Sequence, residues 1–472
     1  AVVHRLLAPV PERPATFRFS HALVREVVAD DVSALRRARI HLRVADAIEA
    51  ATAGDADAAD DAAEILAEHL WAAVPIGTGQ RAALALERAA EVAVRRYAFE
   101  AAEGMLARAV ELRRAAGGAG QDVEAELRTT SRLLSIQRSL HGYASVADAP
   151  HLRRAKDLAA RAGRVDVLAR LLWTEWAAYD TRCDLARSAS VARQLHDLAE
   201  GADDPIVRVT GLASLGISHW HAGRVAEASA LLDEAVQAGA GARPPDLTVG
   251  LDLEVLLLPH PFSRFLHVLA GDMGGPAEAE AAMEALVDAA PDRYAVSLVE
   301  MLAAGAALTV GEPAWAERAA RRGIDADPDA TFTFWGRGLH VALAAALIEQ
   351  GRLDEGLPGL ERAVERYIAA GGRTGMVVFR ASHAGGLIGA GRLSEAEDAL
   401  AVARRELEYG DRYAEPLVLE ADARLRLARG DEPAEAADLL SRAVRLAAAG
   451  GAHGIERRVA ATAARLGVDV GG

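Results

Sequence analysis

The sequence predicts an all-α protein built as a helical-repeat superhelix, a solenoid of stacked helix pairs. Three features point there: the composition, a recurring glycine turn, and the periodicity of small and apolar residues around that turn. Hydrophobic residues make up 51% of the 472-residue chain while aromatics make up 4%. Ala and Leu therefore supply most of the apolar content, and the β-branched and aromatic residues that favour strands are sparse.

The turn recurs as Gly223-Arg-Val-Ala-Glu-Ala228, Gly351-Arg-Leu-Asp-Glu-Gly356 and Gly391-Arg-Leu-Ser-Glu-Ala396, with looser copies starting at Gly274, Gly311 and Gly430. From Gly274 onward the starts are 37, 40, 40 and 39 residues apart. After each turn, small and apolar positions follow at steps of four and three: Ala228, Leu232, Ala235; Gly356, Leu360, Ala363; Ala396, Leu400, Ala403. Such steps gather side chains on one helix face. Ahead of each turn lies another apolar helix, as at Leu339–Ile348 and Leu417–Ala428, so the Gly stops one helix in the left-handed conformation and redirects the chain into the next. One such pair cannot hide its apolar face alone. Neighbouring pairs must stack, and the curved surface of the stack is where function is expected. Ala and Gly at the crossings let backbones approach closely.

Fifty-three basic against 68 acidic residues leave a net charge of −15, which argues against wrapping nucleic acid. Nearly all cations are Arg, with Lys156 as the lone Lys, a bias of GC-rich coding rather than of binding. Cys183 stands alone, so no internal disulfide or Cys-based metal site can form, which fits a reducing cytoplasm; a small buried core position is its expected role. Apolar runs such as Val341–Ile348 fall short of the ~20 residues a bilayer requires. The amino terminus lacks the pattern of a signal peptide. The chain is read as cytoplasmic, and its first residues as the interior of a longer polypeptide.

Two resemblances sharpen this reading. Leu215-Gly216-Ile-Ser-His219 followed by Ala228, Leu232 and Ala235 resembles the TPR signature across both helices of a unit, although a period near 40 exceeds the TPR repeat of about 34 residues; the fold is therefore TPR-like. Near the amino terminus, Phe17-Arg-Phe19-Ser-His21 alternates like a short strand, and Ala22–Val28 and Ser33–Ala50 read as helices, with Ser33 in N-cap position. The stretch 17–50 resembles the end of the winged-helix subdomain of STAND-type ATPases, among them LuxR-type and SARP-type transcriptional regulators. The likeness extends into AAEILAEHLWAAV, the helix around Ala102, Leu106 and Ala109, and the later repeats. It implies a winged-helix end over 1–50, irregular TPR-like repeats over 51–200, and TPR-like repeats of about 40 residues over 201–472. It also implies an upstream ATPase module in cis, with ATP or ADP bound by that parent. His21 would then touch the β-phosphate of ADP, or else simply bond backbone at a strand-to-helix junction. This chain contains no G-x-x-x-x-G-K-[ST] loop, so no cofactor is expected in it.

Gly77-Thr-Gly79 superficially fits a dinucleotide fingerprint but lacks a preceding strand, and reads as a helix-to-helix turn. Asp325-x-Asp327-x-Asp329 resembles a calcium loop, yet Ala330 stands where the turn Gly belongs and Gly336 where the bidentate Glu belongs. His219-x-His221 does not share a helix face and reads as a surface pair. No nucleophile elbow, zinc-protease helix or Cys–His pairing is present, so the chain is expected not to be an enzyme. Eleven of the aromatics fall between Trp173 and Trp335. They are either fillers between stacked helices or a binding surface. In the latter reading Trp220, with Trp173 and Trp176, faces a groove for a protein partner or small effector, without direct nucleic acid or membrane contact. Two functional readings result: the sensor arm of a nucleotide-switched regulator, or an autonomous adaptor that docks protein partners.

Overall fold

Amphipathic helices joined in pairs by short turns make up nearly all of the described chain. The computed structural model describes residues 7–9, 17–19, 32–96, 98–116, 122–142, 145–146, 148–242 and 255–470. They fall into two units, Ala1–Ile136 and Gln137–Gly472.

In the first unit, β1 (Leu7–Pro9) pairs antiparallel with β2 (Phe17–Phe19), Leu7 opposite Phe19. β2 coincides with the alternation read from the sequence. The expected helix at Ala22–Val28 and His21 lie outside the described residues. Helix α1 (Ala34–Thr52) starts directly after Ser33, but the Ser33 hydroxyl makes no capping bond. α2 (Ala56–Ala72) is capped by Asp55, whose carboxylate accepts from the Ala58 N–H at 3.0 Å. Gly77, left-handed at φ +91°, leads into α3 (Gly79–Arg95), so the glycine pair is a helix-to-helix turn. α4 (Phe99–Ala115) follows, and α5 (Val123–His141) begins in this unit. Ala45, Leu70 and Ala82 form a core against Leu42, Leu66 and Leu112.

The second unit alternates two kinds of helix. Inner helices are α7 (Val165–Thr181), α9 (Pro205–His221), α11 (Pro259–Ala270), α13 (Arg293–Val310), α15 (Thr333–Glu349), α17 (Met376–Gly389), α19 (Glu415–Arg429) and α21 (His453–Leu466). Outer helices are α6 (Pro150–Arg161), α8 (Leu185–Ala199), α10 (Val225–Gly239), α12 (Pro276–Asp288), α14 (Pro313–Ala326), α16 (Leu353–Ala369), α18 (Leu393–Glu408) and α20 (Pro433–Ala449). From α13 onward each inner helix packs on the next inner helix as well as on its own outer partner. Burial follows suit: twelve of the 18 residues of α13 are buried, whereas α12 buries only Ala279 and Met283. A helix that is apolar all round must have protein on every side. α13 is also long and apolar enough to cross a bilayer, against the expectation that no segment would be, but 67% of it is buried inside the fold.

What lies on the far side of the inner helices is the next turn of the superhelix. The Arg373 N–H donates to the Thr181 carbonyl at 2.8 Å, Thr374 Oγ1 to the Asp180 carbonyl at 2.9 Å, and the Ala226 N–H to the Gly450 carbonyl at 3.1 Å. Arg457 donates to the Gly271 carbonyl at 3.2 Å, across 186 residues. With repeats near 40 residues, that separation corresponds to roughly five repeats per turn. Sequence-adjacent helices still share the most extensive contacts, as expected of stacked pairs, and the winding is in addition tight enough to bring successive turns into contact.

The repeat turns use left-handed residues as expected. Gly351 has φ +80° with open space where a side chain would go. At the turn between α7 and α8 that conformation falls to Cys183, at φ +60°, a buried thiol that no glycine search could find. Close packing accounts for glycines inside helices: a Cβ on Gly356 would lie 2.6 Å from Ile348 Cγ1 and 2.9 Å from the Ile348 nitrogen. Gly351→Ala should therefore destabilise by about 1 kcal/mol through backbone strain alone, and Gly356→Ala by about 1–3 kcal/mol through overpacking. Urea unfolding should show both as lowered midpoints at unchanged slope, Gly356→Ala the lower.

Candidate functional site

The winding gathers aromatic side chains from five inner helices around one chamber of about 100 Å³. Trp173 and Trp176 come from α7, Trp220 from α9, Phe262 and Phe265 from α11, Phe334 and Trp335 from α15 and Phe379 from α17. α13 contributes Met301, Leu302 and Gly305. Tyr367 and Tyr413 close the wall from the neighbouring turn. Trp220 sits at the centre, edge-on to Phe262 and Phe265 at ring distances of 5.2 and 5.3 Å and tilted against Tyr413 at 4.4 Å. Trp173 and Trp176 lie 4.6 Å apart.

Asp180, Thr181 and Thr374 reach the chamber's edge, and the indole N–H groups of its tryptophans are in two states. Trp335 Nε1 donates to the Tyr294 hydroxyl at 3.1 Å. The indole N–H groups of Trp173, Trp176 and Trp220 are buried and have no partner, although the residues are only 1%, 2% and 3% exposed. An unpaired buried donor costs about 1–3 kcal/mol, and native proteins hold few of them.

Directly behind Trp220 lies His221, its ring 4.3 Å from the indole. His221 Nδ1 is 2.9 Å from Asp411 Oδ1, and Nε2 is 3.1 Å from Asp180 Oδ1. Ser188 Oγ donates to the same Asp180 oxygen at 3.3 Å. Burial works against charge on this imidazole, but the attraction of Asp180 and the hydrogen bonds to both carboxylates outweigh it and push its pKa up to about 10. The ring is therefore an imidazolium that donates from both nitrogens. The surface pair expected at His219-x-His221 is corrected: His221 is 2% exposed and joins α7, α9 and the segment before α19. Burial likewise pushes the Cys183 thiol well up, so it is no nucleophile.

Of the residues singled out in the sequence, Trp173, Trp176 and Trp220 meet in the chamber, while His21 lies outside the described residues. Tyr294, Trp315 and Phe332, members of the same aromatic run, are not in its wall. Tyr367, Phe379 and Tyr413 were not legible as partners, because they arrive from later repeats. Asp180 carried little signal of its own, since the stretch LLWTEWAAYD that it closes holds a second acid, Glu175.

A second, larger cleft of about 770 Å³ runs beside α21. Arg458, largely buried, donates from Nε to Glu420 at 3.0 Å, from Nη2 to Glu349 at 3.2 Å, and to the Leu308 carbonyl. Ser382 and Thr462 hydroxyls donate to Glu349 and Glu420, each at 2.6 Å. Burial opposes the Arg458 charge, and the two carboxylates hold its pKa above the ordinary arginine value. The other arginines of the cleft bond only neutral acceptors: Arg424 the Gly385 carbonyl, Arg457 the Gly271 carbonyl, Arg465 the Thr462 hydroxyl. Among the described residues no three His, Cys, Asp or Glu gather as a metal site, and Asp327, of the calcium-like stretch, instead accepts from the Phe332 N–H at 3.0 Å.

Fold and cavities together define an all-α helical-repeat protein. No family model and no curated protein matches the sequence. Among solved structures, the Cut9-Hcn1 hetero-tetramer of the APC/C is similar at 12% identity and TM-score 0.35, covering 92% of this chain and 98% of that one. Yeast Tom70 is similar at 13% identity and TM-score 0.30, covering 90% and 96%, and the TPR domain of P58(IPK) at 14% and 0.23, covering 91% and 99%. These overlaps are loose, and the fold assignment stands on the coordinates.

Because the folded-state pKa of His221 lies above the ordinary imidazole value of 6.5, the cluster's contribution to stability is full below about pH 6.5 and is lost as pH rises through about 10. The urea midpoint of the second unit should fall across that window. His221→Gln should lower stability by about 3–5 kcal/mol at pH 7 and flatten the pH dependence, which denaturation at a series of pH values would measure.

Proposed function

We propose that this chain is a binding scaffold and not a catalyst: a repeat superhelix that docks a protein partner along the cleft beside α21. The observation behind this reading is the set Arg424, Arg457 and Arg465, which line a cleft of about 770 Å³ and are bonded only to carbonyls and a hydroxyl. Guanidinium groups in that state are free to form charge-assisted bonds with carboxylates. The partner segment is therefore acidic, and its attraction is local, since the chain as a whole carries −15.

The finer context follows from the resemblance of residues 17–50. In it, the scaffold is the sensor or interaction region of a cytoplasmic, nucleotide-switched transcriptional regulator, with ATP or ADP held by an upstream module and His21 reading the nucleotide state. An autonomous adaptor is the second reading, and it is favoured by the docking cleft lying wholly within the second unit. A phosphate loop encoded upstream of Ala1 in the same reading frame would support the regulator; its absence would leave the adaptor.

A labelled oligo-Glu peptide should bind the chain with an affinity that falls with salt. Arg457→Glu with Arg465→Glu should weaken it by about tenfold or more, about 1.4 kcal/mol or above. Fluorescence anisotropy would measure both, and binding unchanged in the double variant would remove the docking reading.

A further inference from the structure

We propose that the groove between α15 and α16 is a binding site for a small phosphate monoester with a single-ring-sized apolar body. The groove shares no residue with the cleft beside α21, so the proposal is independent of the docking reading.

Each of the two helices turns one stripe of residues toward the groove. On α15 it is Arg337, His340, Ala344 and Leu347, and on α16 it is Gly359, Arg362 and Arg366, at the steps of three and four that mark one helix face. The helices run antiparallel, so Arg337 near the start of one meets Arg366 near the end of the other, its Nη1 donating to the Arg366 carbonyl at 3.2 Å. The groove therefore has two unlike ends. Arg337, His340, Arg362 and Arg366 gather at one, while Leu343, Ala344 and Leu347 lie toward the other.

Arginines at the neighbouring turns are answered by carboxylates: Arg352 holds Glu317 at 2.9 Å and Glu355 at 3.0 Å, and Arg392 holds Glu395 at 2.8 Å. In the basic end of the groove none is. Arg337 bonds only a backbone carbonyl, and the exposed guanidinium groups of Arg362 and Arg366 have no acceptor among the described residues. Glu355 is the one carboxylate in the wall, and it lies at the far end, engaged by Arg352. Three guanidinium groups left together without a counterion are a local excess of positive charge in a chain of net charge −15. An anion relieves their repulsion, and a dianion does so more fully than a monoanion, since guanidinium forks match phosphate oxygens in pairs.

The groove has a volume of about 240 Å³. That exceeds the roughly 150 Å³ apolar cavity known to hold benzene, which leaves room for one anionic group beside one ring. It is small against the cleft of about 770 Å³ proposed for a peptide. The floor suits a ring: Ala344 and Leu347 are buried, and a Cβ on Gly359 would meet only the Ala344 Cβ, at 3.5 Å, so the absence of a side chain there leaves the space open.

Phenyl phosphate, inorganic phosphate, benzoate and phenol separate charge from shape when each is titrated into the full chain by isothermal calorimetry. Phenyl phosphate should bind saturably, about tenfold or more tighter than inorganic phosphate or benzoate, and phenol should not bind. Arg362→Gln with Arg366→Gln should weaken phenyl phosphate by about tenfold or more. Arg457→Glu with Arg465→Glu, in the cleft, should leave it unchanged, so the groove and the docking cleft stand or fall separately. Gly359→Leu should fill the apolar half and bring phenyl phosphate down to the affinity of inorganic phosphate, with circular dichroism reporting the fold. If that variant does not fold, Gly359→Ala, with a reduced difference between the two probes, takes its place. The proposal is overturned by an absence of saturable binding, by inorganic phosphate, benzoate or phenol binding as tightly as phenyl phosphate, by loss of binding in the cleft variant, or by unchanged affinity in the folded Arg362 and Arg366 double variant or in a folded Gly359 variant.

Discussion

One imidazolium and two carboxylates hold successive turns of this superhelix together. His221 ends an inner helix, Asp180 lies in the last turn of the inner helix before it, and Asp411 comes from a segment 190 residues further along the chain. A solenoid whose units touch only their neighbours can flex like a spring. Here a buried charge is satisfied only when three separate segments are in register, so unwinding the superhelix would strand it without partners, an expensive state for any ion away from water. Arg458 repeats the device further on, joining α15, α19 and α13 from the last inner helix.

Tight winding decides where ligands can go. An open helical solenoid offers a concave groove, but here the inner helices are buried on both flanks and the groove is largely filled by the adjoining turn. Two spaces survive. One is the aromatic chamber, held by the same contact between turns that seats His221, with Tyr413 two residues from Asp411. The other is the arginine-bearing cleft beside α21. Anything that enters the chamber must fit between turns, so its occupancy and the winding of the superhelix are physically linked.

Much of the local architecture was readable. The glycine turns fall where the spacing put them, and Gly356 and Gly216 sit at close helix crossings, as the small-residue pattern suggested. Trp173, Trp176 and Trp220 were recognisable as one group because they are unusual in a chain with so few rings. Other features were hidden for identifiable reasons. Cys183 takes a left-handed turn that a search for glycine passes over. His221 looked like a surface residue because the charge partner that buries it, Asp411, is a loop residue with no pattern of its own. Tyr367, Phe379 and Tyr413 belong to repeats that local periodicity places far from Trp220.

The sequence by itself determined the helices, their pairing and the apolar character of each face, because those depend on residues within three or four positions of one another and on turns that tolerate few side chains. Only the tertiary structure decided the pitch. Pitch is the sum of many small rotations between neighbours, and it becomes definite where distant segments meet: at His221 with its two aspartates, at Thr374 against the Asp180 carbonyl, and at Gly450 against Gly223. The chamber and the cleft exist because of that pitch, which is why their walls could not be assembled from the repeats one at a time.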